Sequence, residues 1–276
     1  MTEITATAVK ALRDKTQLPM MECKRALIET GGDEEAAIRL LREQGKKTMA
    51  KRADRTTESG RLAIYTSLDP GVGAMIELQC ESAQVANQED FTQLADDLVK
   101  QLATGPGAKS AEELWQQPSP SRSGSTLQEQ HDDLANRIRE VFRLRRLVRF
   151  DGPSGGYVHH TGADGVLLEV TGGTDEAAKD ISMHITAMRP MVIRKEDLDP
   201  ALIEKERQIL TEQARSEGKP DNIIEKMVEG RMRNFYAEQV LLEQPFIKDE
   251  KQTVGQYAKS QSTMPVRFVH WQLGKE

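Results

Sequence analysis

Cysteine and histidine are scarce in this 276-residue sequence, at two and five residues, and the shortage narrows its function before any motif is considered. Its two cysteines, Cys23 and Cys80, lie far apart with no second pair. That excludes a cysteine metal cage or a disulfide framework and fits reduced thiols. No stretch approaches the roughly 18 consecutive apolar residues a membrane span needs, and the N-terminus lacks the apolar run of a signal peptide, so a cytoplasmic location with no membrane partner is the expectation. Proline and glycine, at 11 and 20 residues, are too few for a collagen-like or disordered chain. Aromatics make up only 4% and charged residues 30%, a mix that favours helices with modest cores and much solvated surface. A formal net charge of -6 argues against indiscriminate nucleic-acid binding, which rests on a large cationic surface that releases phosphate counterions.

What is present falls into regions of different period. Ile4, Ala8 and Leu12 repeat at four, placing an apolar stripe on a first helix that ends near Thr16. After Gln17-Leu18-Pro19, a second helix carries Met20, Cys23 and Leu27 on one face. Gly31-Gly32 stops it, because glycine tolerates a left-handed C-terminal cap. Asp33 caps a third helix with Glu34 and Glu35 in its positive first turn, Ala37, Ile38 and Leu41 buried, and Gly45 as its end. Residues 1–45 thus form a small helical module, and the basic stretch 46–59 is expected to be a solvated linker.

From Gly60 the period becomes two. Leu62, Ile64 and Thr66 alternate with polar or smaller residues; beyond Asp69-Pro70-Gly71, Ala74, Ile76, Leu78 and Cys80 do the same, which predicts a β-hairpin with one buried face. Phe91, Leu94, Ala95, Leu98 and Leu102 mark an amphipathic helix. Residues 105–125 read as a loop interrupted by a short stretch at 112–116. The hairpin and helix recur over residues 156–170 and 175–188, a weak internal duplication completed by a late strand in which Val266, Phe268 and His270 alternate. Subdomain boundaries of 60–150 and 151–276 follow. Within the second, Asp199-Pro200 starts a charged helix, Gly218-Lys219-Pro220 breaks it, and a further helix predicts an antiparallel helical hairpin at about 199–242 that projects from the body.

Sites for chemistry are nearly absent. Gly105-Pro106-Gly107-Ala108-Lys109-Ser110 lacks the glycine before the lysine that a phosphate loop has, and it follows a helix instead of a strand. His159 and His160 are adjacent on a predicted strand, so they point to opposite faces and cannot share one metal. Ser216 and Lys219 have an acyl-transfer spacing without its companion motifs. Arg137, Arg139, Arg143, Arg145, Arg146 and Arg149 form the one strong basic cluster; it reads as a solvated helix face with Ile138, Phe142 and Leu147 turned inward, or as a phosphate or RNA contact. Met20 and Met21 are either core or an adaptable thioether surface for a partner.

Several motifs in order resemble one family. Leu12-Arg13-Asp14-Lys15-Thr16 and Met20-Met21-Glu22-Cys23-Lys24-Arg25-Ala26-Leu27 resemble the N-terminal signature of elongation factor Ts, with Gln17-Leu18-Pro19 where a Gly-Ala-Gly-like tripeptide is usual. Glu225-Lys226-Met227-Val228-Glu229-Gly230-Arg231-Met232, Phe235-Tyr236, Leu241-Leu242-Glu243-Gln244-Pro245-Phe246, Gly156-Tyr157-Val158-His159 and Met183-His184 are similar to its later segments. The resemblance runs over essentially the whole chain. It implies an α+β fold: an N-terminal three-helix module of ubiquitin-associated type, then two related antiparallel β-hairpin/helix subdomains with a projecting helical hairpin. It also implies a guanine-nucleotide exchange factor for the GTPase elongation factor Tu, with no covalent chemistry and no cofactor of its own. Arg13, Met20, Met21 and His184 match the family's partner-contacting positions.

One motif departs from the pattern. Where the family reads Thr-Asp-Phe-Val, whose Asp and Phe intrude near the GTPase's Mg²⁺, this chain has Ser82-Ala83-Gln84-Val85; where a large apolar residue precedes the glycine of the second hairpin, it has Asp164 before Gly165. The position implies that the Ser82–Val85 loop still dislocates Mg²⁺, through backbone displacement, with Gln84 hydrogen-bonding where phenylalanine would insert. Two alternatives stand beside this reading. One is a partner that binds the GTPase without accelerating exchange; the other is an RNA-associated translation protein using the arginine cluster at 137–149.

Overall fold

The computed structural model describes residues 4–218 and 220–275. Its first three helices, α1 (Ala6–Thr16), α2 (Met20–Glu29) and α3 (Glu34–Ala50), close around Leu12, Cys23, Leu27, Ala37 and Leu41. Asp33 caps α3 by accepting from the Ala36 amide at 3.0 Å, and the turn before it uses Gly31 and Gly32 at positive φ. Two expectations fail here. The buried face of α2 begins at Cys23, since Met20 and Met21 are 49% and 62% exposed. Nor does Gly45 end α3; the helix runs on to Ala50, so the start of the expected linker, residues 46–50, is helical. Gly45 is buried, and a Cβ there would sit 2.5 Å from the Asn136 side chain. The glycine is a contact point between helices, which a helical stretch with few apolar residues does not advertise.

The first sheet has the order β1-β2-β3, from β1 (Ser59–Ser67), β2 (Val72–Cys80) and β3 (Arg143–Phe150), all antiparallel. Between β2 and β3 the chain forms α4 (Ala83–Ala86), α5 (Glu89–Thr104), α6 (Ala111–Trp115) and α7 (Leu127–Ile138). Phe91, Leu94, Leu98 and Leu102 of α5 pack on Ala74, Ile76, Leu78 and Cys80. The second sheet, β4 (Ser154–Val158), β5 (Asp164–Thr171) and β8 (Met264–Gln272), has the order β4-β5-β8 with α8 (Asp175–Met188) beside it. Each sheet therefore has a hairpin and a following helix, as the internal duplication predicts, and a third strand brought in from later in the chain, which was expected for the second sheet but not for the first.

The sheets pack on each other through Met75, Phe150 and Leu167, with Ile64, Val148 and Val269 around them. That packing buries every residue of β2, so the expected one-sided hairpin is covered on both faces. After α8 come α9 (Pro200–Ser216) and α10 (Asp221–Gln239), a helical hairpin with its own small core of Leu210, Ala214, Ile224, Val228 and Met232. Lys219, in the break between them and in the Ser216/Lys219 spacing, lies outside the described residues. The small hairpin β6 (Pro245–Phe246) and β7 (Asp249–Thr253), then α11 (Val254–Ser260), lead into β8. None of the helices among the described residues is long and apolar enough to cross a membrane.

The arginine cluster is not a helix face. Only Arg137 lies in α7; Arg139 is its left-handed C-cap, and Arg143, Arg145, Arg146 and Arg149 lie on β3. A register shift explains the misreading. Glu77 pairs with Arg146 while Leu78 pairs with Leu144, so Arg145 is an extra residue in a β-bulge that breaks the alternation.

In an ordinary exposed helix Gly→Ala stabilises by up to about 1 kcal/mol. Gly45→Ala is expected to have the opposite sign, because the methyl group lands on Asn136 and overpacking costs typically about 1–3 kcal/mol. Urea unfolding of the two chains measures it, and in an Asn136→Ala background the same change should become neutral or stabilising.

Candidate functional site

Ser82-Ala83-Gln84-Val85 lies immediately after β2, the most buried strand of the first sheet. Ser82 is the N-cap of α4, its hydroxyl accepting from the Val85 amide at 3.4 Å. Val85 and Ala86 are buried in the main core, while Ala83 and Gln84 are exposed. The four residues therefore divide into a capping hydroxyl, a core anchor and a two-residue tip. Relative to the family's usual Thr-Asp-Phe-Val, the cap keeps its hydroxyl and the anchor is unchanged; both substitutions fall on the tip. Just below it, the Cys80 thiol donates to the Ser82 carbonyl at 3.2 Å, and burial, with the Glu140 carboxylate adding to it, pushes its pKa up to about 12. A protonated, buried thiol of this kind is no nucleophile.

Ser82 is gripped from across the fold. Glu140 accepts from the Ser82 amide at 3.1 Å and from its hydroxyl at 2.7 Å, and Glu81 accepts from the Val141 amide at 2.9 Å while pairing with Arg55 at 3.0 Å. The preceding residue, Arg139, reaches Glu22 on α2 at 2.6 Å. The N-terminal module is thus fastened to the same connector as the loop, with Arg42–Asp133 at 2.9 Å and Lys46–Asp132 at 3.2 Å as further ties to α7. On this module Arg13, Met20 and Met21 are exposed, as a contact surface requires.

His184 is placed differently from those residues. It is fully buried in α8, its Nε2 2.8 Å from Gln244 Oε1 and its Nδ1 accepting from the Ile247 amide at 3.2 Å. Those partners place the proton on Nε2 of a neutral ring. Two motifs read separately in the sequence, Met183-His184 and Gln244-Pro245-Phe246, therefore meet here. The ring holds the turn after β6 and offers no surface of its own. Asp164 is also occupied, bonding His270 at 2.6 Å and Gln272 at 2.9 Å.

The remaining candidates carry no chemistry either. His159 and His160 lie beyond the end of β4 in its turn, not on the strand, and their rings stand 4.1 Å apart instead of on opposite faces. Among the described residues no group of three or more His, Cys, Asp or Glu could hold a metal ion. In the Gly105–Ser110 segment, the Lys109 amide donates to the Glu113 carboxylate at 2.8 Å, so a carboxylate occupies a place a phosphate would need. The arginines are largely engaged within the chain. Arg137 pairs with Asp90, Arg143 donates to the carbonyls of Ala53 and Arg55, Arg146 meets Glu77 at 2.7 Å, and Arg149 holds the carbonyls of Leu102 and Gly105. Sequence reasoning missed the residues that mount the loop, Glu140 and Glu81. Nothing local marks them, since each acts on a residue about sixty positions away.

Burial disfavours the His184 cation and holds its pKa below the ordinary value of 6.5, the Gln244 bond opposing in part. The unfolded chain then binds a proton that the folded chain does not, so stability is complete above about pH 6.5 and declines as pH falls below it. Unfolding midpoints measured from about pH 7.5 down to about 5.5 should fall on acidification, and His184→Gln, which removes this titration, should flatten that part of the profile.

The family profile described as Elongation factor TS matches residues 81–275. The chain is 42% identical over 275 residues to the Elongation factor Ts of Methylococcus capsulatus, covering 99% of this chain and 92% of the relative. It is 41% identical over 288 residues to that of Hyphomonas neptunium, at 100% and 93% coverage, and 40% identical over 286 residues to that of a Clostridium botulinum strain, at 99% and 93%. The likeness spans the helical module, both sheets and the helical hairpin together, and the chain belongs to the elongation factor Ts family.

Proposed function

We propose that this chain is the guanine-nucleotide exchange factor of elongation factor Tu, binding the GDP-bound GTPase and promoting release of Mg²⁺ and GDP. Family membership supports the reading, and the observation that carries it is the mounting of two exposed patches on one rigid connector. Arg13, Met20 and Met21 form the anchoring patch on the helical module, and Ala83-Gln84 form the tip that meets the nucleotide site. Adjacent residues Arg139 and Glu140 tie both patches down.

The work required is a difference in affinity. A factor that binds the nucleotide-free GTPase more tightly than the GDP form must, by linkage, weaken nucleotide binding by the same factor. No acid, base or nucleophile enters that scheme. With alanine and glutamine in place of an acidic and an aromatic residue, the tip has little side chain to insert. It works by occupying space with backbone, and Gln84 supplies one amide donor and acceptor. His184 contributes indirectly, by fixing the turn at Ile247, whose exposed side chain lies beside it. In the division of the chain the anchoring residues fall in the helical module at 1–45 and the tip in the subdomain at 60–150, with 151–276 as the second subdomain.

Release of labelled GDP from elongation factor Tu, with and without this chain, tests the proposal. Acceleration that saturates with factor concentration is the expected result, and no acceleration at saturation leaves only a binding partner. Replacing Met20 and Met21 together by alanine should raise the half-saturating concentration by about fivefold or more, the effect of removing adaptable side chains from an anchoring contact. Both are exposed, so the melting temperature should not move.

A further inference from the structure

We propose that Glu140 is a positioning residue for nucleotide release, holding the Ser82–Val85 loop rigid from outside so that its backbone can displace the GTPase's nucleotide contacts. The inference rests on the exchange reading and adds to it a residue outside the exposed tip, whose carboxylate is bonded to Ser82.

A tip of Ala83 and Gln84 cannot wedge through a charged or aromatic side chain, so whatever it displaces must be displaced by main chain. Main chain that yields on contact does no displacing, and α4 is only four residues long, too short to be rigid by itself. Its fixed end is therefore decisive, and Ser82 is that end. One Glu140 oxygen takes the Ser82 amide and the other takes its hydroxyl, both in charge-assisted bonds, while the Glu81 carboxylate returns the grip by accepting from the Val141 amide. Three hydrogen bonds thus clasp segment 81–82 to segment 140–141.

The connector that presents Glu140 is itself held in an uncommon conformation. Arg139 has φ 69°, a left-handed geometry that a non-glycine residue keeps only where its surroundings over-determine it. Here the surroundings do so. Its side chain binds Glu22, its carbonyl accepts from Arg52, and its amide donates to the Ala135 carbonyl. The bend aims the next residue's carboxylate at Ser82. Glu22 lies on the same helix as Met20 and Met21, so the anchoring patch and the tip keep a set separation through Glu22, Arg139, Glu140 and Ser82.

The test compares full-length Glu140→Ala and Glu140→Gln with the unmodified chain in GDP release from elongation factor Tu across factor concentrations. A second measurement follows the rate at which a thiol reagent modifies Cys80, buried under Ser82, with Cys23 in the helical module as internal reference. Glu140→Ala should lower the maximal release rate by about tenfold or more, the effect of losing charge-assisted hydrogen bonds, and change the half-saturating concentration by less than about twofold. Cys80 should react faster in Glu140→Ala than in Glu140→Gln, which loses the same charge but keeps one carbonyl oxygen, while Cys23 is unchanged, and Glu140→Gln should recover part of the release rate. A maximal rate within about twofold of the unmodified chain overturns the proposal, as does a lost rate with Cys80 protection unchanged. Should Glu140→Ala fail to fold, Ser82→Ala is judged by the same two readouts. An unmodified chain that does not accelerate release overturns the exchange reading and this role with it; normal exchange by the unmodified chain and by Glu140→Ala overturns this role alone.

Discussion

The Glu77 carboxylate lies at the centre of β2 with no exposed surface, and much of the molecule is arranged to keep it neutralised. Arg146 meets it at 2.7 Å and Arg145 at 3.6 Å from β3, Gln79 donates to it at 2.7 Å from its own strand, and the Gly274 amide at 3.0 Å brings in the end of the chain. An unpaired buried carboxylate would cost several kcal/mol, so these four partners, three of them hydrogen-bond donors, are a condition of the fold. Arg146 also stacks over Trp271 at 4.5 Å and donates to the Gln272 carbonyl, which ties the third strand of one sheet to the third strand of the other. A single charge thereby fixes the register of β3 on β2 and the docking of β8 beside both.

The loop after β2 inherits this rigidity. Cys80 and Val85 are packed among the α5 side chains, and Ser82 is clasped by Glu140, so little besides the two-residue tip is free. Mount and tip are thereby separate: the mount is set by packing and hydrogen bonds within the chain, while the exposed Ala83 and Gln84 take no part in the core. Substitutions of the usual aspartate and phenylalanine at the tip are tolerated by the fold because neither position contributes to its core.

Much of the fold could be read locally. Periods of four and two located the three N-terminal helices, both hairpins and the helices behind them, because apolar residues recur along each at the spacing of its own geometry. The failures share a cause. The bulge at Arg145 disguised a strand as a helix face, Gly45 looked like a helix stop because its partner Asn136 lies ninety positions away, and the exposed Met20 looked like core because its position prolongs the Cys23 and Leu27 stripe. Arg13, Met20, Met21, Ala83 and Gln84, the contact residues proposed through the resemblance, are exposed. His184 was legible as part of a motif, but its burial was not.

By itself the sequence determined the family and the α+β class, since these depend on residue type and short spacing. Only the tertiary structure decided which residues hold the Ser82–Val85 loop. Glu140 meets Ser82, Arg139 meets Glu22 and Glu77 meets the chain's last residues across separations of 58, 117 and 197 positions. Contacts at that range follow from how sheets and helices stack, and a single sequence carries no periodicity that encodes them.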